Sequence, residues 1–365
     1  MMKYIKLGKI CNIKTGKLDA NASSENGIYP FFTCSREPLK ISSYSYDCEC
    51  VLVAGNGELN VKYYNGKFDA YQRTYIIEVL DKIKYSTKFL YLLINSKMEE
   101  LRNASIGGVI KYIKLGNLTD IDVPIIDIDK QNDIVNNMLS MNKVIRLKKS
   151  QIKKFDVLIK SQFVEMFGDP NFNEKNWITG TVNDIGLCVA GATPSTAIKE
   201  YWENGTIPWL SSGEVNKGRI YETDTKISQK GYDNASTKLV PPKTVLIAMA
   251  GQGKTRGLSA ITEIELCTNQ SVCSIVNNDK VNPEYLLYFF KMQYLELRNA
   301  STSSEGRGGL NLKIIGNYKV MIPPIELQNK FAMIVEQIDK QKFEFEKSLK
   351  KLEELQASLM QEYFG

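Results

Sequence analysis

The chain contains no histidine among its 365 residues. That removes the commonest general base, the Ser–His and Cys–His nucleophile pairs and every imidazole metal ligand. Any catalysis would rest on carboxylates, lysines or tyrosines. Cysteine is sparse and odd in number at seven, with no CxxC, and neither Cys48-x-Cys50 nor the pair Cys267 and Cys273 has a histidine to complete a zinc site. No structural metal is expected. Long apolar runs are missing too: a stretch such as Val245–Ala250 falls far short of the ~20 residues that span a bilayer. No signal peptide precedes residue 20, so the expectation is a cytoplasmic chain with no membrane partner. Neither sign of charge dominates. A net charge of +6 and a pI near 8.7 permit a polyanionic partner without requiring one.

What remains is ordinary folded composition, 43% hydrophobic and 24% charged, in a chain long enough for two or more domains. Internal repetition organises it. The pentapeptide LRNAS occurs at Leu101–Ser105 and again at Leu297–Ser301. Further on, Val123-Pro124 before Gln131 parallels Ile322-Pro323 before Gln328. Lys153-Lys154 parallels Lys350-Lys351, and Phe167-Gly168 parallels the final Phe364-Gly365. Most of these pairs are 196 to 200 residues apart, which marks one duplicated unit. Alignment on the prolines makes the first junction two residues longer to its glutamine, and Pro124 and Pro323 read as helix-start residues.

Each copy runs in the same order. A region rich in Thr, Val, Ile and Tyr and broken by Gly and Asn reads as mainly β, with Asn65-Gly66 as a hairpin signal between two strand-like runs. A short helix follows, spanning 88–102 in the first copy and 283–298 in the second. A long helix then closes each copy. In the first, Ile134, Met138, Met141, Ile145, Ile152, Phe155, Ile159 and Met166 fall at spacings of three, four or seven. In the second, Ile334, Ile338, Phe345, Leu349, Leu352, Leu359 and Tyr363 do the same. Such seams must be buried, and the simplest partner for each helix is the other. The first helix carries Lys143, Arg146, Lys148, Lys149, Lys153 and Lys154, and the second carries Glu344, Glu346, Glu353 and Glu354. Those charges fit interhelical pairing, or alternatively a surface for nucleic acid or a protein partner.

The segment AMAGQGKTRG, residues 248–257, satisfies a relaxed phosphate-loop pattern. A true phosphate loop opens a helix, because the helix N-terminus and loop amides hold the phosphates. Here the following residues alternate apolar and polar, which predicts strands instead. The loop therefore reads as a Gly-rich β turn projecting Gln252, Lys254, Thr255 and Arg256, side-chain types that contact bases and phosphates. Asn269, Gln270 and Arg307 add polar reach in the same copy, and Asn56, Asn60, Lys62 and Arg73, with Glu58, are the candidates in the first copy. Tyr63, Tyr64, Trp202 and Trp209 read as packing residues rather than stacking platforms for bases. A nucleotide hydrolase and a coiled-coil scaffold without DNA reading are the competing functional readings.

Taken together, the junctions VPIIDIDKQ and IPPIELQ, the FGDP that closes the first helix, and AMAGQGKTRG with CTNQ resemble one family across essentially the whole chain. That family is the specificity subunit of type I restriction-modification systems. The resemblance implies an α+β fold: two mainly β target recognition domains (1–126 and 169–325), each followed by a spacer helix (127–168 and 326–365), the helices packed as an antiparallel coiled coil. It further implies a non-catalytic subunit that binds double-stranded DNA, reads a bipartite asymmetric target and docks two methylase subunits, with restriction subunits as further partners. No cofactor is expected in this chain, since S-adenosylmethionine for adenine methylation would sit in the methylase. The chain carries no NPPY- or DPPY-type motif, in keeping with that division of labour.

Overall fold

The computed structural model describes residues 3–251, 253–301 and 309–365. The chain divides into two compact units, 1–149 with 347–365 and 150–346. Each unit therefore takes part of both long helices.

In the first unit the strands are β1 (Tyr4–Lys6), β2 (Cys11–Thr15), β3 (Tyr29–Phe32), β4 (Leu39–Ile41), β5 (Tyr46–Ala54), β6 (Val61–Ala70), β7 (Thr74–Val79) and β8 (Asp122–Pro124). Six of them form a sheet in the order β2-β7-β5-β6-β3-β4. The central strand β5 buries Cys50 to Ala54 without interruption, as a strand covered on both faces must. One of those faces meets helix α1 (Thr87–Ser96), whose N-cap Ser86 accepts a hydrogen bond from the Phe89 amide. Lys97 interrupts the helix before α2 (Met98–Asn103), so the single predicted helix is two. The short ribbon β1–β8 closes the domain, and α3 (Ile128–Phe167) begins three residues after it.

The predicted Asn65-Gly66 hairpin is wrong. Both residues lie inside β6, opposite Glu49 and Cys48, and the reversal between β5 and β6 falls at residues 55–60 instead. Gly66 has φ +135°, a conformation open to glycine, so the residue that suggested a turn lets an otherwise continuous strand bend.

The second unit repeats this plan with β9 (Thr179–Thr181), β10 (Gly186–Ala190), β11 (Ile207–Leu210), β12 (Arg219–Ile220), β13 (Thr225–Ile227), β14 (Val245–Ala248), β15 (Ser259–Thr262), β16 (Cys267–Thr268), β17 (Val272–Asn277) and β18 (Lys319–Met321). Its main sheet runs β10-β17-β14-β15-β12, matching β2-β7-β5-β6 of the first unit, with β13-β11-β16 as a smaller sheet. Helix α4 (Pro283–Met292) starts with proline behind an Asn282 cap and breaks at Gln293, as α1 breaks at Lys97, before α5 (Tyr294–Ala300). The ribbon β9–β18 then leads into α6 (Ile325–Phe364).

These ribbons correct the proline alignment. Pro124 ends strand β8, while Pro323 lies beyond β18 in the loop before α6, so neither starts a helix. A proline without its N–H is tolerated at the rim of a two-stranded ribbon. Counted from the ribbons, both junctions have three residues before the helix, and Gln131 and Gln328 are each the fourth helical residue. The first junction is not longer.

The seam residues are buried or half-buried, as the periodicity requires. Within the second unit, the two long helices run antiparallel: Phe155 meets Phe345 with ring centroids 5.4 Å apart, Asp156 pairs with Lys342 at 2.7 Å, and Phe163 meets Phe331 at 5.6 Å. Within the first, Lys149 pairs with Glu353 at 2.7 Å, and Asn142 accepts a hydrogen bond from Gln356 at 2.5 Å. Phe364 reaches Phe89 of α1, and Phe167 reaches Tyr285 of α4 in the same way. Periodicity missed Phe163, Phe331 and Val335, which the core beneath α4 buries fully.

Candidate nucleic-acid interface

In each unit the candidate residues gather at one end of the main sheet. In the second, β14 and β15 are joined by the Gly-rich loop, and Met249 N–H donates to Ser271 O at 2.8 Å, which sets the loop beside the turn that carries Asn269 and Gln270. Lys254 is exposed, and Thr255 and Arg256 are half-buried. Gln270 is exposed and receives a hydrogen bond from Thr193 at 2.7 Å, whereas the Asn269 carboxamide oxygen is committed to the Ser271 amide. Gln252 and Arg307 lie outside the described residues.

In the first unit the corresponding loop is 55–60 between β5 and β6, and the turn before β7 carries Arg73. Gly55 N–H donates to Arg73 O at 2.7 Å and Ala54 N–H to Asn60 O at 2.9 Å, so Asn56, Asn60, Lys62 and Arg73 share one end of the sheet. Their side chains differ in availability. Arg73 is exposed. Asn60 donates to Cys34 O at 2.9 Å, and Lys62 donates to Ser35 O at 2.8 Å and to the Asn60 carboxamide. Burial draws the Lys62 ammonium below its ordinary range. These two hold the 33–37 segment against β6. Exposed Glu58 pairs with exposed Arg36 at 2.5 Å.

The loop at 248–257 leads into strand β15, not a helix, so the element a phosphate loop requires is absent from the described residues there. Gly251, Gly253 and Gly257 have φ of +135°, +67° and +86°, which explains the glycine spacing as backbone geometry. The aromatics pack as expected: Trp202 and Trp209 meet edge to face at 5.1 Å, Tyr64 joins Phe32 and Phe68, and Tyr63 donates to Glu49 at 2.9 Å.

Three features escaped the sequence. Arg102 and Arg298, the arginines of the two LRNAS motifs, both donate to loop carbonyls: Arg102 to Leu59 O at 3.2 Å, Arg298 to Gly253 O at 2.7 Å and Arg256 O at 3.2 Å. Repetition flagged these residues without showing what they touch. Arg219 of β12 holds Glu263, Glu284 and Asp339, which ties the second sheet to α4 and α6.

The third is a cleft of about 430 Å³ behind the second loop, lined in part by Lys160, Ser259, Tyr288, Lys291 and Tyr294. Burial pulls the Lys291 ammonium down to about 8, and the nearby Arg219 acts in the same direction. Between about 8 and the ordinary 10.5 the unfolded chain holds a proton that the folded chain has released. This group's contribution to stability therefore rises with pH across that window. Lys291→Met is expected to raise the thermal midpoint at pH 7.5, with the gain shrinking by pH 10. A pH-independent gain in paired melts would contradict the titration.

Tandem β units, each presenting a polar loop from the same end of its main sheet and joined through two long helices, define a class of paired recognition scaffold. The sequence model described as the type I restriction modification DNA specificity domain matches residues 1–155 and 174–357, and the chain belongs to that family. Among curated relatives, it is 37% identical over 158 residues to the type I restriction enzyme EcoDI specificity subunit of Escherichia coli, a match covering 43% of this chain and 35% of that one. It is 34% identical over 173 residues to the MjaIX specificity subunit of Methanocaldococcus jannaschii, covering 45% and 38%. These matches thus span well under half of each relative's length. The fold is that of the type I restriction-modification S subunit from M. genitalium, with a TM-score of 0.67 at 17% identity over 100% of this chain and 96% of that one. A structure titled as underlying complex assembly and conformational transition of the type I R-M system gives a TM-score of 0.63 at 16% identity, covering 100% and 97%.

Proposed function

We propose that this chain is the DNA-reading, non-catalytic subunit of a type I restriction-modification assembly, and that it reads a bipartite asymmetric target with one half assigned to each unit. The observation that carries this reading is the equivalence of the loops at 55–60 and 248–257. They occupy the same place in matching sheets, yet carry different polar side chains. Equivalent placement supports equivalent docking on duplex DNA, and different side chains support different half-sites. In this reading the long helices set the spacing between the halves and offer docking surfaces to two methylase subunits. Those subunits hold S-adenosylmethionine and transfer its methyl group to adenine. A nuclease-bearing assembly adds restriction subunits to the same scaffold.

The first experiment is modified-base sequencing of genomic DNA with and without the gene. Loss of adenine methylation at a split motif upon deletion is the expected result, and unchanged methylation at every motif would reject the function. At residue level, Lys254→Ala or Arg256→Ala should weaken binding through one half-site by about 1–3 kcal/mol if a base-reading contact is removed. Competition binding with half-site variants checks this, and equal weakening for all sequences would assign those side chains to phosphate instead.

A further inference from the structure

We propose that Arg102 and Arg298 are positioning residues that hold the two DNA-reading loops in shape, so that each arginine governs the specificity of one half-site. This inference rests on the function proposed above.

The first support is geometric. The loop at 249–257 leaves the sheet between β14 and β15, and three of its carbonyls point at one turn of helix α5. Arg298 Nη1 donates to Gly253 O at 2.7 Å and to Arg256 O at 3.2 Å, and the Tyr294 hydroxyl donates to Lys254 O at 2.8 Å. Arg298 also lies over the Tyr294 ring, 5.6 Å from its centroid, and Nη1 is 3.2 Å from the Tyr294 hydroxyl. One guanidinium nitrogen, Nη1, thus holds the Gly253–Arg256 backbone, and a lysine ammonium, one atom closer to its own backbone, would fall short of both carbonyls. A Cβ on Gly257 would come within 3.2 Å of Arg298 Cγ and 3.3 Å of Tyr294 O, so loop and clamp fit closely.

The second support is independent: the other copy repeats the device. Arg102, at the same place in LRNAS, donates through Nη2 to Leu59 O in the corresponding loop at 3.2 Å. The leucine and the serine of the motif serve the same end in both copies. Leu101 and Leu297 are buried and anchor the helix, while Ser105 and Ser301 each return a hydrogen bond to the arginine's own carbonyl at 2.6 Å. The pentapeptide is therefore repeated because both loops need the same support, although the loops themselves differ. The first copy has buried Met98 where the second has Tyr294, so its loop lacks the hydroxyl donor and rests on fewer contacts from this helix.

The test uses the full chain assembled with its methylase partners, with methylated motifs read from genomic DNA and folding followed by thermal melts. Arg298→Ala is expected to lower modification at motifs carrying the cognate second half-site by about tenfold, the scale of a lost charge-assisted hydrogen bond. Relaxed base preference should appear in that half alone. Arg102→Ala should do the same to the other half. Arg298→Lys keeps the charge and should leave the relaxation in place. Tyr294→Phe, a gentler change, should relax the same half-site as Arg298→Ala to a smaller degree. Unchanged base preference in Arg298→Lys and Tyr294→Phe would overturn the proposal, as would equal loss at both halves. If the unaltered chain directs no methylation, the functional reading has failed; if it does and the clamp variants keep its motif, only the clamp has failed.

Discussion

Arg219→Ala is expected to cost the second unit about 3–5 kcal/mol, the range seen when one partner of a buried ion pair is removed. Arg219 donates four hydrogen bonds to three carboxylates. The two terminal nitrogens grip the Glu284 carboxylate end-on at 2.8 and 2.7 Å, Nη1 also donates to Glu263 at 2.8 Å, Nε donates to Asp339 at 3.0 Å, and Nη2 lies 2.8 Å from the same Asp339 oxygen. Burial would lower the guanidinium pKa, but the pairing with Glu284 and the proximity of Asp339 outweigh it and raise the value above its ordinary range. Without the cation, three mostly buried carboxylates converge, of which Glu263 and Glu284 keep an ion pair with Lys243, at 2.6 Å and 3.5 Å. The first unit has Asn142 at the helix position of Asp339, so the network belongs to the second copy and the loss should be confined there. Chemical denaturation monitored within each unit checks this. A loss below about 1 kcal/mol would mean that the network contributes no more than exposed surface pairs do.

Gln328→Leu, and separately Gln131→Leu, should each cost about 2–4 kcal/mol, since every buried polar group left unpaired costs roughly 1–3 kcal/mol. Both glutamines are fully buried, and their contacts are the same. Gln328 donates to Pro323 O at 2.7 Å and Lys280 O at 3.3 Å and accepts from Asn282 N–H at 2.8 Å. Gln131 donates to Ile126 O at 2.9 Å and Lys84 O at 2.8 Å and accepts from Ser86 N–H at 2.9 Å. One carboxamide thus fastens the first turn of each long helix to the N-cap of the short helix beneath it. Leucine fills similar space but takes a partner from two carbonyls and an amide; those on exposed Lys84 and Lys280 and half-buried Ser86 and Asn282 regain water, which keeps the loss near that of one or two unpaired groups. Denaturation of the two variants should give similar losses; a large loss in one and none in the other would end the claim of equivalence.

Much of the architecture was legible because duplication and periodicity are local signals. LRNAS, the glutamines after each junction and the heptad-like seams were visible in the chain. So was the strand that follows the Gly-rich loop, because its residues alternate. Asn65-Gly66 misled because the dipeptide is equally suited to a turn and to a bent strand, and only the pairing opposite Glu49 and Cys48 decides between them. The candidate DNA contacts fall at the same end of the main sheet in both copies, but sequence could not separate Arg73, which is exposed, from Lys62, whose ammonium is spent on the neighbouring loop.

The sequence by itself determined the duplication, the order of β region, short helix and long helix in each copy, and the seam each long helix must bury. Tertiary structure alone decided the order of strands, the division of both helices between two compact units, and the partners of Arg102, Gln131, Arg219, Arg298 and Gln328. The physical reason is range. Helical period and turn preference act over a few neighbouring residues, whereas Arg219 and Asp339 are 120 residues apart. A polar side chain becomes a clamp, a buried anchor or a reading group only when the chain has closed that distance and chosen what surrounds it.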